Sequence, residues 1–129
     1  MRGVVRIPAE AEGKLLVVVA RVGGEAYARL VVDSGAGTSA LSLHCARRLG
    51  LRVDEHLRVR TPTGLVAVGT FALPSLCVGP LEVADFRLAA VPLHNDRVDG
   101  LLGLDFFRAV GAVQLTLLLD TTALEVRLA

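Results

Sequence analysis

Glycine and proline interrupt the apolar segments of this chain at short intervals along its 129 residues, without clustering into a linker. Turn-forming residues at such spacing are typical of short strands joined by tight connections. The chain is slightly shorter than a typical domain, and 53% of its residues are hydrophobic, which is enough for one core. The sequence therefore predicts a single all-β domain spanning residues 1–129.

The clearest strand pair lies near the N-terminus. The valine-rich segment Leu15 to Val22 runs into Gly23-Gly24 and continues as Ala26 to Val32. Two such segments separated by a glycine turn predict a hairpin of largely buried strands. The second strand ends at Asp33, so a carboxylate is expected at the end of an apolar strand.

Two short helices are expected between the strands. After a short strand from Thr38 to Leu41, Ser42 occupies the position of a helix N-cap, and Gly50 provides the C-terminal stop. A second helix is predicted from Leu104 to Val110, ended by Gly111. Both helices are brief, so they do not change the predicted class.

The remaining segments are predicted to form hairpins. Hydrophobic residues alternate with arginines before Thr61-Pro62-Thr63-Gly64, where the proline and the glycine suit a type I turn. Further turns are predicted at Gly79-Pro80 and around His94 to Asp96. The chain closes with two predicted strands, Val113 to Leu119 and Leu124 to Leu128. The last strand has one apolar face to bury.

Composition and charge exclude several classes of function. The 14 basic residues balance 13 acidic residues, the arginines are scattered, and tryptophan is absent, which argues against nucleic acid as a partner. Cys45 and Cys77 follow no disulfide or zinc spacing and are predicted to be small buried hydrophobes. The histidines lack a zinc-ligand motif, and Lys14, the only lysine, excludes a P-loop. The first apolar run, Leu15 to Ala20, is too short to span a bilayer, so we expect a soluble, cytoplasmic protein without a membrane partner.

Chemistry is expected at Asp33-Ser34-Gly35-Ala36-Gly37, which directly follows the apolar strand. Glycine lets the backbone turn tightly, so the carboxylate is expected beside a hydroxyl at the mouth of the strand. Asp-Ser/Thr-Gly alone is weak evidence, because it arises by chance in about one chain in twenty of this length. A turn aspartate that bonds its own backbone is the ordinary alternative.

The same segment also matches a dinucleotide-binding pattern. Gly35 to Ala40 fits G-x-G-x-x-G/A after a strand, and Asp54-Glu55 follows about twenty residues later, where a ribose-binding acid belongs. A Rossmann unit continues as alternating strands and helices, whereas the segment from Leu57 to Val91 is predicted to form hairpins. The dinucleotide site is therefore the less favoured interpretation. Ser39 lacks the G-x-S-x-G context of a hydrolase nucleophile and is predicted to be a strand residue.

Two motifs together resemble the retropepsin-like aspartic peptidases, especially their single-domain bacterial branch. Val31 to Ala36 is similar to the family's active-site loop, in which two hydrophobic residues precede Asp-Ser/Thr-Gly and a small residue. Asp99 to Phe106, which contains Leu101-Leu102-Gly103, is similar to the element that packs behind that loop. The hairpin predicted at Thr61 to Gly64 lies where the family carries its flap. The resemblance covers nearly the whole chain and favours the catalytic interpretation of Asp33.

The resemblance implies a retropepsin-like closed β barrel, the acid protease fold, with one or two short helices and a flap hairpin. It implies an aspartic endopeptidase that hydrolyses peptide bonds without a metal or an organic cofactor. Asp33 is then catalytic, Ser34 and Gly35 brace its loop, and the support behind the loop comes from Leu101, Leu102 and Gly103. The implied substrate-binding residues are Ala36, Gly37, Thr61, Pro62, Thr63 and Gly64.

Peptide hydrolysis requires both a general acid and a general base, whereas the sequence contains one Asp-Ser/Thr-Gly. The second carboxylate is therefore expected from an identical subunit across a two-fold axis. The C-terminal strand could be ordinary core or could join its twin in a dimer interface, as terminal strands do in this family, and we favour the interface. Asp105 lacks the Ser/Thr-Gly turn and is predicted to lie in the first turn of the second helix, where the helix dipole favours it.

The chain departs from the family pattern at two places. Ser34 replaces the commoner threonine, and Gly37-Thr38 stands where retroviral members carry acidic residues that contact substrate. The hydroxyl is retained, so the departures affect the expected substrate preference more than catalysis. The alternative from another functional class is a catalytically silent, dimeric peptide-binding module on the same fold.

Overall fold

The computed structural model describes residues 3–93 and 95–129, with Thr61 described for its backbone only. Within these residues the chain forms eleven strands and two short helices, which confirms the predicted all-β class. The strands are β1 Gly3–Pro8, β2 Glu10–Glu12, β3 Leu15–Val22, β4 Ala26–Val32, β5 Ala40–Ser42, β6 Glu55–Thr61, β7 Gly64–Val78, β8 Leu81–Val91, β9 Gly100–Leu102, β10 Ala112–Leu118 and β11 Ala123–Leu128. The helices are α1 Leu43–Arg48 and α2 Leu104–Ala109.

The N-terminal hairpin is formed by β3 and β4 at the predicted positions. Gly23 and Gly24 between them have φ of +56° and +115°, a region that residues with a side chain rarely adopt. The other edge of β4 pairs in parallel with β9. The strand that leads to Asp33 is therefore hydrogen-bonded on both sides.

The larger sheet closes on itself. Its order is β2-β3-β4-β9-β5-β8-β7-β6, and β3 also pairs with β7. This additional pairing joins β3, β4, β9, β5, β8 and β7 into a ring of six strands. Within the ring, the short strand β9 runs parallel to β4 and antiparallel to β5, so it lies between the two strands that flank Asp33 in the sequence.

Apolar side chains fill one main core that connects the ring to the helices and the terminal strands. Phe106 of α2 is fully buried and meets Phe86 and Phe107 edge to face, with ring centroids 5.9 Å and 5.5 Å apart. Leu102, at the end of β9, is buried in the same core. The segment that carries Leu102 and Phe106 is thus anchored by apolar packing.

Both helices match the prediction to within one residue. The Ser42 hydroxyl accepts a hydrogen bond from the Cys45 backbone N–H at 3.0 Å and so caps α1, as predicted. Gly50 and Gly111, with φ of +72° and +78°, follow the two helices. Cys45 and Cys77 are buried, which confirms that prediction, and burial raises the pKa of the Cys45 thiol. No helix in the described part of the chain has the length and hydropathy of a membrane span.

The β6, β7 and β8 strands form successive antiparallel hairpins, as predicted for this region. The turn predicted around His94 to Asp96 lies partly outside the described residues, because His94 is not among them; Asp96 and Arg97 lie in a turn. Strand β5 begins at Ala40, two residues later than predicted, because the backbone N–H of Ser39 is bonded elsewhere.

The terminal strands form a separate sheet in the order β1-β11-β10. Leu124, Val126 and Leu128 of β11 are buried, so the predicted apolar face is confirmed. Both edges of β11 are paired within the subunit, with β1 along one and β10 along the other, so its contact with its twin in a dimer interface stays a prediction. The edges of this sheet in the described subunit belong to β1 and β10.

Candidate active site

Asp33 lies at the point where β4 leaves the sheet. The last residues of β4 pair with β9, with Val32 opposite Leu102, and the Asp33 backbone N–H donates to the Leu102 carbonyl at 3.0 Å. Val31 and Val32 are buried, whereas Asp33 is partly exposed. A buried, doubly paired strand therefore delivers a solvent-accessible carboxylate.

The segment after β4, residues 33–39, is the Asp33 loop, and it folds tightly around the carboxylate. Asp33 Oδ1 accepts a hydrogen bond from the Gly35 N–H at 2.9 Å, and the Asp33 carbonyl accepts one from the Ala36 N–H at 3.2 Å. A Cβ at Gly35 would lie 3.3 Å from Asp33 Oδ1, so a side chain there would crowd the carboxylate. The first bond is also the one expected of an ordinary turn aspartate, and here it orients the side chain.

The junction of β9 and α2 presses against the rear of the Asp33 loop. The Leu104 N–H donates to the Ala36 carbonyl at 2.8 Å. A Cβ at Gly103 would lie 2.7 Å from that carbonyl oxygen and 3.1 Å from the Thr38 carbonyl carbon, so only glycine fits without a backbone shift. The structure thus brings Leu101-Leu102-Gly103, from a motif far along the chain, directly behind Asp33.

A buried polar cluster that the sequence did not indicate completes this support. Ser39 is fully buried, and its hydroxyl donates to Asp105 Oδ1 at 2.6 Å while accepting from the Gly103 N–H at 2.9 Å. Asp105 Oδ2 accepts from the Ser39 backbone N–H at 2.9 Å. Asp105 lies in the first turn of α2, as predicted, but its carboxylate also reaches across to the Asp33 loop. Ser34 is exposed, so within one chain the buried bracing hydroxyl belongs to Ser39.

The β6–β7 hairpin meets the Asp33 loop at its base. Thr61 pairs with Gly64, and the side chains from Pro62 to Ala67 are exposed. A cavity of about 190 Å³ separates the base of the hairpin from the loop and from β8. It is lined by Thr38, Glu55, His56, Leu57, Thr70, Arg87, Leu88 and Ala89. Leu57 is the apolar side chain that the hairpin contributes to this lining.

The ion pairs in this part of the molecule lie at the base of the hairpin. At the base of the hairpin, Arg87 donates hydrogen bonds to Asp54 and to Thr70, with Nη1 3.0 Å from the Thr70 hydroxyl. This guanidinium lowers the pKa of Asp54, which in turn raises the pKa of Arg87. Across the described residues, no three His, Cys, Asp or Glu side chains group into a set that could hold a metal ion.

The family assignment rests on a match that contains both predicted motifs. The model of a family described as aspartyl protease matches residues 18–106, more than half of the chain. The chain belongs to the aspartyl protease family. The matched range includes Asp33 and extends through Phe106 of α2. No curated protein sequence matches this chain significantly.

Solved structures share the fold of this chain at low sequence identity. A retropepsin-like aspartic protease from Rickettsia conorii aligns with a TM-score of 0.69 and 20% identity over 99% of this chain and 93% of that chain. The retroviral protease-like domain of Ddi1 from Leishmania major gives 0.59 and 19% over 92% and 96%. The EIAV protease, complexed with the inhibitor HBY-793, gives 0.60 and 15% over 83% and 98%. These alignments confirm the predicted retropepsin-like fold.

The dinucleotide interpretation is excluded by the same fold. The glycine-rich segment leads into strand β5, and β5 runs antiparallel to β9 instead of starting a helix that crosses to a parallel neighbour. Asp54, the predicted ribose-binding acid, is bonded to Arg87. Of the two glycines in the Asp33 loop, Gly35 packs closely against the Asp33 carboxylate, whereas Gly37 is exposed.

Proposed function

We propose that the chain is an aspartic endopeptidase that works as a homodimer, with Asp33 of each subunit supplying one carboxylate of the catalytic pair. The placement of Asp33 carries the proposal: a partly exposed carboxylate at the end of a buried strand, with its loop bonded from behind to β9 and α2. Membership of the aspartyl protease family supports the same chemistry. Because the main core runs from Ile7 to Leu128, we treat residues 3–129 as one domain.

The proposed chemistry needs two carboxylates and one water molecule. Two carboxylates about 3 Å apart do not both ionise, so they share one proton and titrate as a pair, as in the well-known aspartic protease dyads. The ionised Asp33 takes a proton from water as the water attacks the scissile carbonyl carbon. The protonated Asp33 of the other subunit donates its proton to the carbonyl oxygen.

An uncharged sheet edge supports a second copy of this chain as the partner. Strand β10 is outermost in the terminal sheet, and the segment from Ala112 to Leu119 carries no charged residue. Val113, Leu117 and Leu119 are exposed on this segment, Leu119 to 75%. A long apolar edge is a template for pairing with another strand, and two copies related by a two-fold axis satisfy each other's edge.

Substrate is proposed to lie between the Asp33 loop and the β6–β7 hairpin, which acts as the flap. Ala36 and Gly37 lie in the loop beside the carboxylate, and Gly37 is exposed. The tip from Thr61 to Gly64 is proposed to close over the peptide, while Ser34 and Gly35 brace the loop. Leu101, Leu102 and Gly103 hold it from behind through the contacts described above.

Cleavage of fluorogenic peptide libraries by wild type and by Asp33→Asn, from acid to neutral pH, tests the proposal. Asparagine keeps the Oδ1 acceptor for Gly35 but supplies no general base, so activity is expected to fall by about 10³-fold or more with the fold retained. Equal activity in both proteins would remove Asp33 from the mechanism. Peptide binding without cleavage by wild type would instead assign a silent binding module.

Gel filtration of the same samples tests the assembly. The proposal predicts that the active species elutes as a dimer and that specific activity falls on dilution. Full activity in a strictly monomeric protein would contradict the shared dyad.

A further inference from the structure

Ser39, which is fully buried at the end of the Asp33 loop, is hydrogen-bonded to the partly buried carboxylate of Asp105. Ser39 is fully buried, and its hydroxyl lies between an acceptor, Asp105 Oδ1 at 2.6 Å, and a donor, the Gly103 N–H at 2.9 Å. The Ser39 N–H donates to the other carboxylate oxygen of Asp105 at 2.9 Å. Ser39 is therefore hydrogen-bonded to both oxygens of the Asp105 carboxylate.

Asp105 is itself fixed to the element behind the loop. Its Oδ1 also accepts from the Phe106 N–H at 2.9 Å, and Phe106 is fully buried. Bonds to an ionised acceptor are shorter and stronger than neutral ones, and more so where water is excluded. The hydrogen bonds between Ser39 and Asp105, called the joint below, thus connect the end of the Asp33 loop to α2.

The joint acts on Asp33 through bonds already described. Leu102 accepts from the Asp33 N–H and Leu104 donates to Ala36, while Gly103 between them donates to Ser39. Three consecutive residues therefore hold the beginning, the middle and the end of the loop. A shift at Ser39 changes where the Asp33 carboxylate points.

We propose that Ser39 and Asp105 are positioning residues that set the separation of the two Asp33 carboxylates in the dimer. The inference rests on the proposed function, but neither residue touches the reacting atoms. The proposed role differs from a contribution to stability, because it concerns the distance between the two carboxyl groups that share a proton. When that distance grows, the carboxylates titrate more independently, so their two apparent pKa values approach each other and the pH range of the singly protonated pair narrows.

The test compares Ser39→Ala and Asp105→Asn with a matched control, Ser42→Ala. Ser42 is a second buried serine, three residues along the chain, whose hydroxyl accepts from the Cys45 N–H in the cap of α1. Each serine variant removes one buried hydroxyl, but only Ser39 faces the β9–α2 junction. Peptide cleavage is measured as kcat, KM and the pH profile of kcat/KM, per folded molecule.

The expected result is a fall in kcat of about 10- to 100-fold for Ser39→Ala and Asp105→Asn, with KM within about twofold and a narrower pH profile. Ser39→Thr, which keeps the hydroxyl, should recover most of kcat. Ser42→Ala should keep the kcat and the profile width of wild type even if its melting temperature falls as far as that of Ser39→Ala. Equal kcat and equal profile width in all three variants would overturn the inference.

Amide hydrogen exchange separates failure of this inference from failure of the proposed function. If wild type cleaves no peptide, the proposed function fails, and exchange at the Gly35 and Ala36 amides then decides the role of the joint. Both amides donate to Asp33, so a loosened loop should exchange at least about tenfold faster in Asp105→Asn than in Ser42→Ala. Equal exchange in the two variants would show that Asp105 does not position the loop.

Discussion

The rear of the Asp33 loop and the β6–β7 hairpin lie on opposite sides of the proposed substrate, and they are built differently. Behind the loop, Ser39 is fully buried and Gly103 lies against the loop backbone without space for a Cβ. In the hairpin, the side chains from Pro62 to Ala67 are exposed, and antiparallel pairing joins two strands. The first wall of the proposed substrate site, the Asp33 loop, is fixed by buried contacts on several sides. The second wall, the β6–β7 hairpin, projects from the sheet.

The difference matches what each wall is proposed to do. A carboxylate pair works only if its geometry is maintained before substrate arrives, and buried hydrogen bonds with close backbone packing provide that. A lid must admit a peptide and then cover it, so its tip cannot be committed to the core. The comparison predicts that substitutions behind the loop reduce stability and activity together, whereas substitutions in the hairpin act mainly on substrate.

Gly100→Ala is expected to have the largest effect. A Cβ at Gly100 would lie 2.0 Å from the Ala40 carbonyl oxygen and 3.0 Å from the Leu41 Cα, and both are backbone atoms that cannot move independently. We expect the free energy of unfolding to fall by about 3 kcal/mol or more, with loss of peptide cleavage. Urea denaturation measures this, with Gly37→Ala as the control.

The control, Gly37, lies in the Asp33 loop, in open space. No atom lies within 4 Å of a Cβ built at Gly37. Gly37→Ala should therefore change stability by less than about 0.5 kcal/mol. Similar stabilities for the two variants would show that the β9–β5 contact is looser than described.

Val66→Ser is expected to have an intermediate effect, on substrate alone. Val66 pairs with Val59 on the hairpin face that carries Leu57, which lines the cavity next to Thr38. Losing about 1 kcal/mol of apolar contact with a peptide should lower kcat/KM about fivefold, mainly through KM, with little change in melting temperature.

Leu65→Ser provides the matched comparison for that prediction. Leu65 is exposed to 57%, more than Val66, and pairs with Arg60 on the opposite face of the hairpin. It should leave kcat/KM within about twofold of wild type. If Leu65→Ser were the more damaging variant, the face that carries Leu57 and Val66 would not be the one that meets substrate.

Asp54→Asn is expected to have the smallest effect, at the base of the hairpin. Arg87 lowers the pKa of Asp54 in the folded protein, so the ion pair adds stability above the pKa of the unfolded state and loses it as pH falls through the folded pKa. The urea midpoint of wild type should exceed that of Asp54→Asn slightly at neutral pH and match it in strong acid. High salt should reduce the difference, because the pair is exposed.

Asp96→Asn controls for the general effect of removing a negative charge. Asp96 is exposed in the turn before β9, and the acidic partners of Arg87 are Asp54 and Glu55. At neutral pH, the urea midpoint of Asp96→Asn should differ from that of wild type by less than the midpoint of Asp54→Asn does. An equal difference would indicate that net charge, and not the pair, sets the dependence on pH.

Local features of the fold could be predicted from the sequence because their causes are local. Gly23-Gly24 supplies the positive φ values that the β3–β4 turn needs, and Ser42 caps the helix that follows it. The Asp33 motif could be found because strand, carboxylate and glycine are adjacent. Leu101-Leu102-Gly103 is likewise a run of adjacent residues, and the resemblance to the family predicted its position behind the loop.

The remaining features depend on which distant segments meet. Ser39 and Asp105 are 66 residues apart, and nothing in the pattern around Ser39 distinguishes a buried anchor from a strand residue. Its bond to Asp105 also explains why β5 begins at Ala40 instead of Thr38. For β11, the apolar alternation revealed a buried face but not the neighbours at its edges, which the pairing with β1 and β10 decides. On the other side of the contact, the sequence places Asp105 in the first turn of a helix, two residues after Gly103, but does not identify Ser39 as its partner.

The central claim is that each active site contains Asp33 from two chains, and titrating wild type with Asp33→Asn tests it most directly. The two proteins are mixed at constant total concentration, allowed to exchange subunits, and assayed for peptide cleavage. If the dyad is shared, mixed dimers are inactive, and an equal mixture retains about one quarter of the activity of wild type alone. Retention of about one half, with activity proportional to the wild-type fraction after exchange is shown to be complete, would mean that each chain acts by itself and would contradict the account.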